Sequence, residues 1–240
     1  MTQVRHGSYS VNFYYRKIIS AFGAEFKYSQ HAEELVVGSV YLRIYNSNPT
    51  FALEDPKRFT VDLLDFIKAR QTELVSMSMF PTESTQQGEL ALTSLAHVIR
   101  NNAGVEMQVR FGYQEEDHAD NNSFQTIGHF KMLFSLLDSQ FPTVQETALS
   151  VISSTTSNSD VVSDIAATNC LGRLLVGLRS MQQSARVTIL ETIYGLNSNT
   201  KLVKEAFEKG AVIYLLDVFC NSDVPGYRWA MLCAEDIFIV

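Results

Sequence analysis

The chain contains few of the residues that disulfide-stabilised or metal-stabilised domains need. Its 240 residues include only three cysteines, Cys170, Cys220 and Cys233, and no two of them form a CxxC pair. Their spacing excludes a zinc ribbon or a thioredoxin-type redox motif. With 46% hydrophobic and 19% charged residues, the composition is typical of a globular protein that is stabilised by its own apolar core.

Long hydrophobic runs are also missing. No stretch reaches the roughly 18 unbroken apolar residues of a membrane span, and the opening MTQVRHGSYSVNFYYRK lacks the continuous apolar core of a secretory signal. The net charge is −7 and the basic residues are scattered, so we expect no nucleic-acid surface. These features predict a cytoplasmic protein.

No catalytic or cofactor motif occurs in the sequence. The phosphate loop GxxxxGK[ST], the dinucleotide motif GxGxxG, HExxH and GxSxG are all absent. Among the five histidines only His118 has several carboxylates beside it. Consecutive acidic residues in a loop point in different directions, which favours a solvated charge run over a metal site. We therefore predict no enzymatic activity, no cofactor and no metal.

The second half of the chain contains an internal repeat. Residues 143–181 align without a gap with residues 184–222, and a third copy begins with VIYLLDVFC. Within the unit, Leu171, Leu174, Leu175 and Leu178 are spaced i, i+3, i+4 and i+7, as on one face of a helix. A period near 40 that is built from three helices predicts the armadillo class of α-solenoid.

Local signals predict where several helices begin and end. Asp55 followed by Pro56 is a helix start, the polar run from Ser157 to Asp160 offers N-caps, and Gly210 is typical of a helix C-terminus. An earlier copy of the repeat, ELALTSLAHVIRNNAGVEMQV, aligns only at a longer offset. The inserted residues predict an exposed acidic loop near 112–124, either a docking loop or a tolerated insertion.

The N-terminal part of the chain has a different pattern. Residues 35–46 alternate in the manner of a strand, with Val40, Leu42 and Ile44 on one side, and Gly38 suggests a short hairpin. Upstream, residues 10–21 fit an amphipathic helix. The whole sequence therefore predicts a mainly α, armadillo/HEAT-like α-solenoid over residues 57–240, preceded by a small N-terminal element, residues 1–56, that contains a β-hairpin.

Two stretches carry a family resemblance. VVGSVYLRIYNSNPTFALEDPKRFTVDLLDFI and ILETIYGLNSNTKLVKEAFEKGAVIYLLDVFCNS resemble interior segments of the receptor-mediated endocytosis protein 8 family, large DnaJ homologs of subfamily C. The resemblance spans roughly residues 25 to 222. The sequence contains neither the His-Pro-Asp tripeptide of the J domain nor the family's Ile-Trp-Asn motif. Co-chaperone activity is therefore not expected of these residues.

The resemblance implies a scaffold in endocytic trafficking and endosomal sorting. Its expected partners are proteins, among them sorting-nexin, retromer or clathrin-related machinery, and its expected location is the cytoplasm, peripheral to endosomal membranes through a longer parent. The alternatives are a purely structural solenoid spacer or a truncated gene product without binding activity of its own. A third hypothesis is capture of the C-terminal Phe238-x-Val240 by a PDZ domain.

The repeat alignment places six candidate protein-binding residues on the exposed side of the third helices: Gln145, Ser150, Ser154, Arg186, Glu191 and Tyr194. Solenoid proteins hold extended partners along such faces. The final segment, CAEDIFIV, falls in the third-helix position of the last repeat. Because no polar cap follows it, we expect its outer side to be a cut edge that lacks the neighbour a solenoid repeat needs.

Overall fold

The computed structural model describes residues 42–43, 45–50, 53, 55–76, 80–105, 109, 126–221 and 224–238. In this part of the chain the regular structure is helical and no strand occurs. The helices are α1 (Pro56–Ala69), α2 (Gln71–Val75), α3 (Glu83–Asn101), α4 (Thr126–Ser135) with the 3-10 turn η1 (Leu136–Asp138), α5 (Pro142–Thr155), α6 (Ser159–Thr168), α7 (Leu171–Ser180), α8 (Gln183–Leu196), α9 (Thr200–Glu208), α10 (Ala211–Asn221) and α11 (Val224–Phe238).

The helices stack as an armadillo-like solenoid, as the repeat period predicts. Each full repeat contains a short helix, a second helix and a long third helix: α6, α7 and α8, then α9, α10 and α11. The third helices α3, α5, α8 and α11 form a ladder in which each contacts the next. The second helices α7 and α10 also pack on each other, and α9 lies against both of them and against α11.

Repeated apolar positions form the core of this stack. Leu149 and Ile152 of α5 are buried, and so are their counterparts Leu190 and Ile193 of α8. All of them belong to one continuous cluster of buried side chains. The buried positions recur because each repeat covers the apolar side of the repeat before it.

The predicted helix ends are confirmed and are themselves repeated. Asn158 and Asn199, which hold the same position in successive repeats, cap α6 and α9 with side-chain oxygens that accept backbone N–H groups. Asn169 and Gly210, again one repeat apart, both have positive φ, 53° and 76°, just beyond those helices. Glycine and asparagine are the residues that adopt this left-handed conformation most readily.

The start of α1 is also as predicted. Asp55 is the N-cap, with its side chain accepting from the Arg58 N–H at 3.0 Å, and Pro56 is the first helical residue. Phe59, Leu63 and Ile67 face the core. This entry point orients α1 against α3, the first third helix of the ladder.

The predicted β-hairpin is wrong where the structure describes it, because residues 42–43 and 45–47 are helical. Leu42 and Tyr45, three residues apart, are both buried. The Tyr45 ring contacts the Phe59 ring edge-on, with 5.5 Å between the ring centroids. Asn46 donates to the Leu90 carbonyl and accepts from the Ser94 hydroxyl. These contacts with α1 and α3 need one helical face, and tertiary packing overrides β-propensity here.

Three predictions lie outside the described residues. They are the helix over residues 10–21, the first part of the hairpin (residues 35–41), and the acidic loop over residues 112–124. Among the described helices none alone is long and apolar enough to cross a membrane; α6 and α7 meet that criterion only when taken together, across a bend of 86°.

A buried carboxylate links the two full repeats. Glu205 of α9 reaches back to α7, where its Oε1 accepts the Leu171 N–H at 3.1 Å. The N-cap residue of α7, Cys170, makes no capping hydrogen bond with its side chain, so Glu205 caps this helix from the next repeat. Burial raises the pKa of Glu205, which outweighs the lowering effects of the Leu171 N–H and of Lys209.

We predict that Glu205→Gln makes the chain more stable relative to wild type as pH rises. Because the folded-state pKa of Glu205 is raised, wild-type stability from this group is fully present below the usual Glu pKa of about 4.3 and is lost as pH rises through the folded pKa. Glutamine keeps the acceptor and removes the buried charge. Urea unfolding of both proteins at pH 4 and pH 7 measures the difference.

A difference in unfolding free energy that does not change with pH would contradict this account of Glu205. Glu205→Ala is the matched control. It removes the charge and the acceptor together, so the Leu171 N–H is left buried without its cap, and the variant is destabilised by about 1–3 kcal/mol.

Candidate protein-binding surface

The exposed side of the third-helix ladder is the candidate surface and is called the ladder face below. Along α8 it consists of Ser184, Val187, Glu191 and Tyr194, which are opposite the buried side chains of the same helix. The equivalent stripes are Glu89, Thr93 and Arg100 on α3, Thr143, Glu146, Ser150 and Ser154 on α5, and Arg228 and Glu235 on α11.

A repeated hydrogen bond joins successive third helices across this face. The Thr143 hydroxyl of α5 donates to Oε1 of Glu89 on α3. One repeat further, the Ser184 hydroxyl of α8 donates to Oε1 of Glu146 on α5 at 3.1 Å. Both pairs occupy the same repeat positions.

The third step of the ladder lacks this pair of residue types. Between α8 and α11 the equivalent positions are held by Val187, in place of the glutamate, and Pro225, in place of the hydroxyl residue. Neither residue type has a side-chain donor or acceptor. The hydroxyl–glutamate bond therefore cannot form at this step.

An aromatic pair lies at the α8–α11 step instead. The rings of Tyr194 and Trp229 are 5.5 Å apart between centroids and inclined at 59°. Tyr194 is 41% exposed, and Trp229 is partly buried against the core. Glu191 precedes Tyr194 by three residues on α8, so its carboxylate is on the same face. This step of the ladder presents aromatic surface beside a carboxylate.

Gln145 is occupied by structural contacts. Its Nε2 donates to the backbone carbonyls of Leu137 and Ser139, at 3.2 and 2.7 Å. The amide nitrogen therefore holds η1 and the following turn against α5. Nothing in the sequence distinguishes this role from an exposed polar position.

The two predicted serines lie together on α5. Ser150 accepts from Nη2 of Arg100 at 3.3 Å, and the Ser154 hydroxyl donates to the Ser150 carbonyl at 2.8 Å. Ser150 and Glu191 hold the same repeat position on neighbouring helices. Both serines are on the ladder face, and their role in binding stays a prediction.

Arg186 is partly buried, and its Nε is buried without a hydrogen-bond partner among the described residues. The predicted Glu191 and Tyr194 are on the exposed face of α8, next to Trp229.

Sequence reasoning missed Trp229 as a site residue, although it is the only tryptophan in the chain and lies one repeat after Thr188, in the middle of α8. The repeat alignment could therefore have placed Trp229 on the third helix that packs on α8.

Negative charge recurs along the ladder face. The four third helices carry the carboxylates Glu89, Glu146, Glu191 and Glu235 there, and α3 and α11 also carry Arg100 and Arg228. Burial, and to a smaller extent the positive charge of Arg100, lowers the pKa of His97 on α3. Within the described residues, no group of three or more His, Cys, Asp or Glu is arranged to hold a metal ion; His118 lies outside them.

Comparisons with solved structures show the fold. A designed armadillo repeat protein in complex with the peptide (KR)4 matches 89% of this chain and 80% of its own length, with a TM-score of 0.62 at 15% identity. An engineered protein matches 92% of this chain and 47% of its own length, with a TM-score of 0.60 at 15% identity. The fold is an armadillo-like α-solenoid.

One curated protein shows a short sequence relation. DnaJ homolog subfamily C GRV2 of Arabidopsis thaliana is 41% identical over 54 residues. The match covers 22% of this chain and 2% of the plant protein. No protein-family model matches the chain. These findings support a relation to subfamily C DnaJ homologs over a limited segment.

We predict that Tyr194→Ala shifts the fluorescence emission of Trp229 to longer wavelength, because the indole loses its ring neighbour and gains water. The pair contributes about 0.5–1.5 kcal/mol beyond its buried area, so the free energy of unfolding should fall by a similar amount. Since Trp229 is the only tryptophan, the spectrum reports on this step alone. Tyr194→Phe keeps the ring and should leave the emission maximum unchanged; an equal shift in both variants would contradict the pairing.

Proposed function

We propose that this chain is a non-enzymatic protein-binding scaffold whose ladder face holds an extended segment of a partner that carries lysine or arginine. The observation that carries the proposal is the α8–α11 step, where the exposed Tyr194 ring, the adjoining Trp229 and the carboxylate of Glu191 share one surface. A solenoid offers such a surface in a continuous row, which suits an extended chain.

The chemistry of the step favours a cation. A lysine ammonium or an arginine guanidinium near the face of an aromatic ring gains about 0.5–2 kcal/mol from the ring quadrupole. The neighbouring carboxylate adds a charge-assisted hydrogen bond. Glu89, Glu146 and Glu235 on the other third helices add three carboxylates to the row, which also contains two guanidinium groups, Arg100 and Arg228.

The similar designed protein supports this choice of ligand by analogy. It was solved with (KR)4, an alternating basic peptide. This chain shares the architecture and has a net charge of −7. The analogy concerns fold and charge; the residues that would grip the peptide here are those of this chain.

The test is a titration of the chain with the (KR)4 peptide, read by the fluorescence of Trp229. We predict a saturable change in emission that weakens as salt is added, because exposed charges are screened. Glu191→Lys should weaken binding at least about tenfold, since a favourable charge contact becomes a repulsion. An acidic peptide, (ED)4, should produce no change.

Glu73→Lys is the matched control for that variant. Glu73 is exposed on α2, which is not one of the third helices, and the substitution alters the net charge by the same amount. Equal loss of binding in Glu73→Lys and Glu191→Lys would show that only overall charge matters and would contradict the proposed site. Absence of any binding to (KR)4 would favour the structural spacer.

We also propose that the scaffold acts in endocytic trafficking and endosomal sorting, in the cytoplasm at the periphery of endosomal membranes. The 54-residue match to a subfamily C DnaJ homolog supports the family resemblance from which this role is inferred. The expected partners are sorting-nexin, retromer or clathrin-related proteins.

A pull-down from cytosol with the full chain, probed for these three classes, tests the trafficking proposal. We predict that at least one class is retained by the wild type and lost with Glu191→Lys. If none of the three classes is retained, the trafficking proposal is wrong. The peptide titration would still decide the peptide-binding proposal independently.

A further inference from the structure

The ladder face carries a guanidinium group at its α3–α5 step, where the α8–α11 step carries the carboxylate of Glu191. Arg100 is exposed near the end of α3 and reaches across to α5, where its Nη2 donates to the Ser150 hydroxyl at 3.3 Å. Ser150 holds the same repeat position as Glu191. The position that is anionic on α8 is therefore neutral on α5 and is contacted by a cation.

His97 adds a second nitrogen donor beside this guanidinium. Thr93, His97 and Arg100 are spaced i, i+4 and i+7 on α3, which places them on one side of the helix. His97 is half-buried, and among the described residues no carboxylate offsets the lowering of its pKa by burial and by Arg100. The α3–α5 step thus combines the donors of Arg100, His97 and Ser150.

The charge of Arg100 is not neutralised by the described part of the chain. Its side chain makes one hydrogen bond there, to the uncharged hydroxyl of Ser150, and a guanidinium has five N–H donors. Arg173 of α7, by contrast, forms an ion pair with Asp138 at 3.0 Å. Arg100 can therefore accept an anion from outside the chain without breaking an ion pair.

The glutamates of the same two helices lie towards the other ends of those helices. Glu89 precedes Arg100 by eleven residues on α3, about 16 Å along the helix axis. Glu146 precedes Ser150 by one turn on α5, and its Oε1 accepts from the Ser184 hydroxyl. The end of the α3–α5 step around Arg100 is therefore basic, although carboxylates occur elsewhere in the row.

We propose that the α3–α5 step binds an anionic group, a carboxylate or a phosphate, of the same extended segment whose cation occupies the α8–α11 step. This inference rests on the function proposed above and specifies the partner further. Arg100 supplies charge-assisted hydrogen bonds, and Ser150 and His97 supply further donors. The segment that fits the whole row carries opposite charges at its two ends.

The stacking of the third helices sets the distance between the two charges. Neighbouring helices pack about 8–10 Å apart, so two steps of the ladder span about 16–20 Å. An extended chain advances about 3.3 Å per residue, and alternate side chains point the same way. The anionic and basic residues of the partner are therefore about six residues apart. A wholly acidic peptide such as (ED)4 does not fit, because it places carboxylates against Glu146 and Glu191.

Peptides with the basic block KRKR and one glutamate test the subsite, with Trp229 fluorescence of the full chain as the readout. In one peptide the glutamate stands six residues before the first lysine, and in another six residues after the last arginine. Serines fill the gap, both ends are blocked, and each peptide has a glutamine version. We predict that one order binds about three- to fivefold more tightly than its glutamine version, and that salt reduces this gain.

Arg100→Gln links the gain to the proposed subsite. The variant removes the positive charge, so it should abolish the gain from glutamate while binding of the glutamine peptides is unchanged or stronger. Arg58→Gln is the matched control. Arg58 is exposed on α1, which is not one of the third helices, and the change in net charge is the same; this variant should keep the gain.

Phosphoserine in place of glutamate distinguishes the two sources of the anion. A gain with phosphoserine alone assigns the subsite to phosphate, and a gain with glutamate alone assigns it to a carboxylate. If (KR)4 binds but neither anion adds affinity in either order, the anionic subsite is wrong and the basic-peptide scaffold stands. A gain that survives Arg100→Gln, or that Arg58→Gln abolishes equally, would also overturn the subsite. If (KR)4 does not bind, the proposed function itself fails.

Discussion

Stacking of each long third helix on the next is the interaction on which the rest of this structure depends. A single three-helix repeat has apolar residues on two sides and cannot bury both by itself. In α5 and α8 the same positions, Leu149 and Leu190, are buried because the following third helix covers them. Helix caps, left-handed helix ends and the buried Glu205 all serve to hold the repeats in register. In α11, which no further described helix covers, the equivalent Met231 is 43% exposed.

The ladder also explains how a locally distinct surface arises from a repetitive fold. At two steps a hydroxyl and a glutamate join neighbouring third helices, which occupies Glu89 and Glu146 in part. At the next step Val187 and Pro225 replace that pair, and the Tyr194–Trp229 contact takes over. Loss of a structural hydrogen bond therefore coincides with the appearance of exposed aromatic surface. The repeated third helices form a continuous face, and the α8–α11 step, which differs in sequence, provides the site we propose.

Much of this fold could be predicted from the sequence, because its strongest determinants are local or periodic. The N-cap Asp55, the cap at Asn158 and the helix end at Gly210 depend on a few neighbouring residues. The hairpin prediction failed because Leu42 and Tyr45 are set by contacts with helices further along the chain. Likewise, the pairing of Trp229 with Tyr194 and the role of Gln145 depend on the register of neighbouring elements, which the pattern of one sequence does not contain.

The most direct test of the stacking constraint is native-state hydrogen exchange of the full chain. If each repeat is stabilised mainly by the repeat that covers it, amides of α7 and α8 should exchange at a higher opening free energy than the equivalent amides of α10 and α11. The uncovered repeat should open first. Equal protection of the two repeats, position by position, would contradict the account.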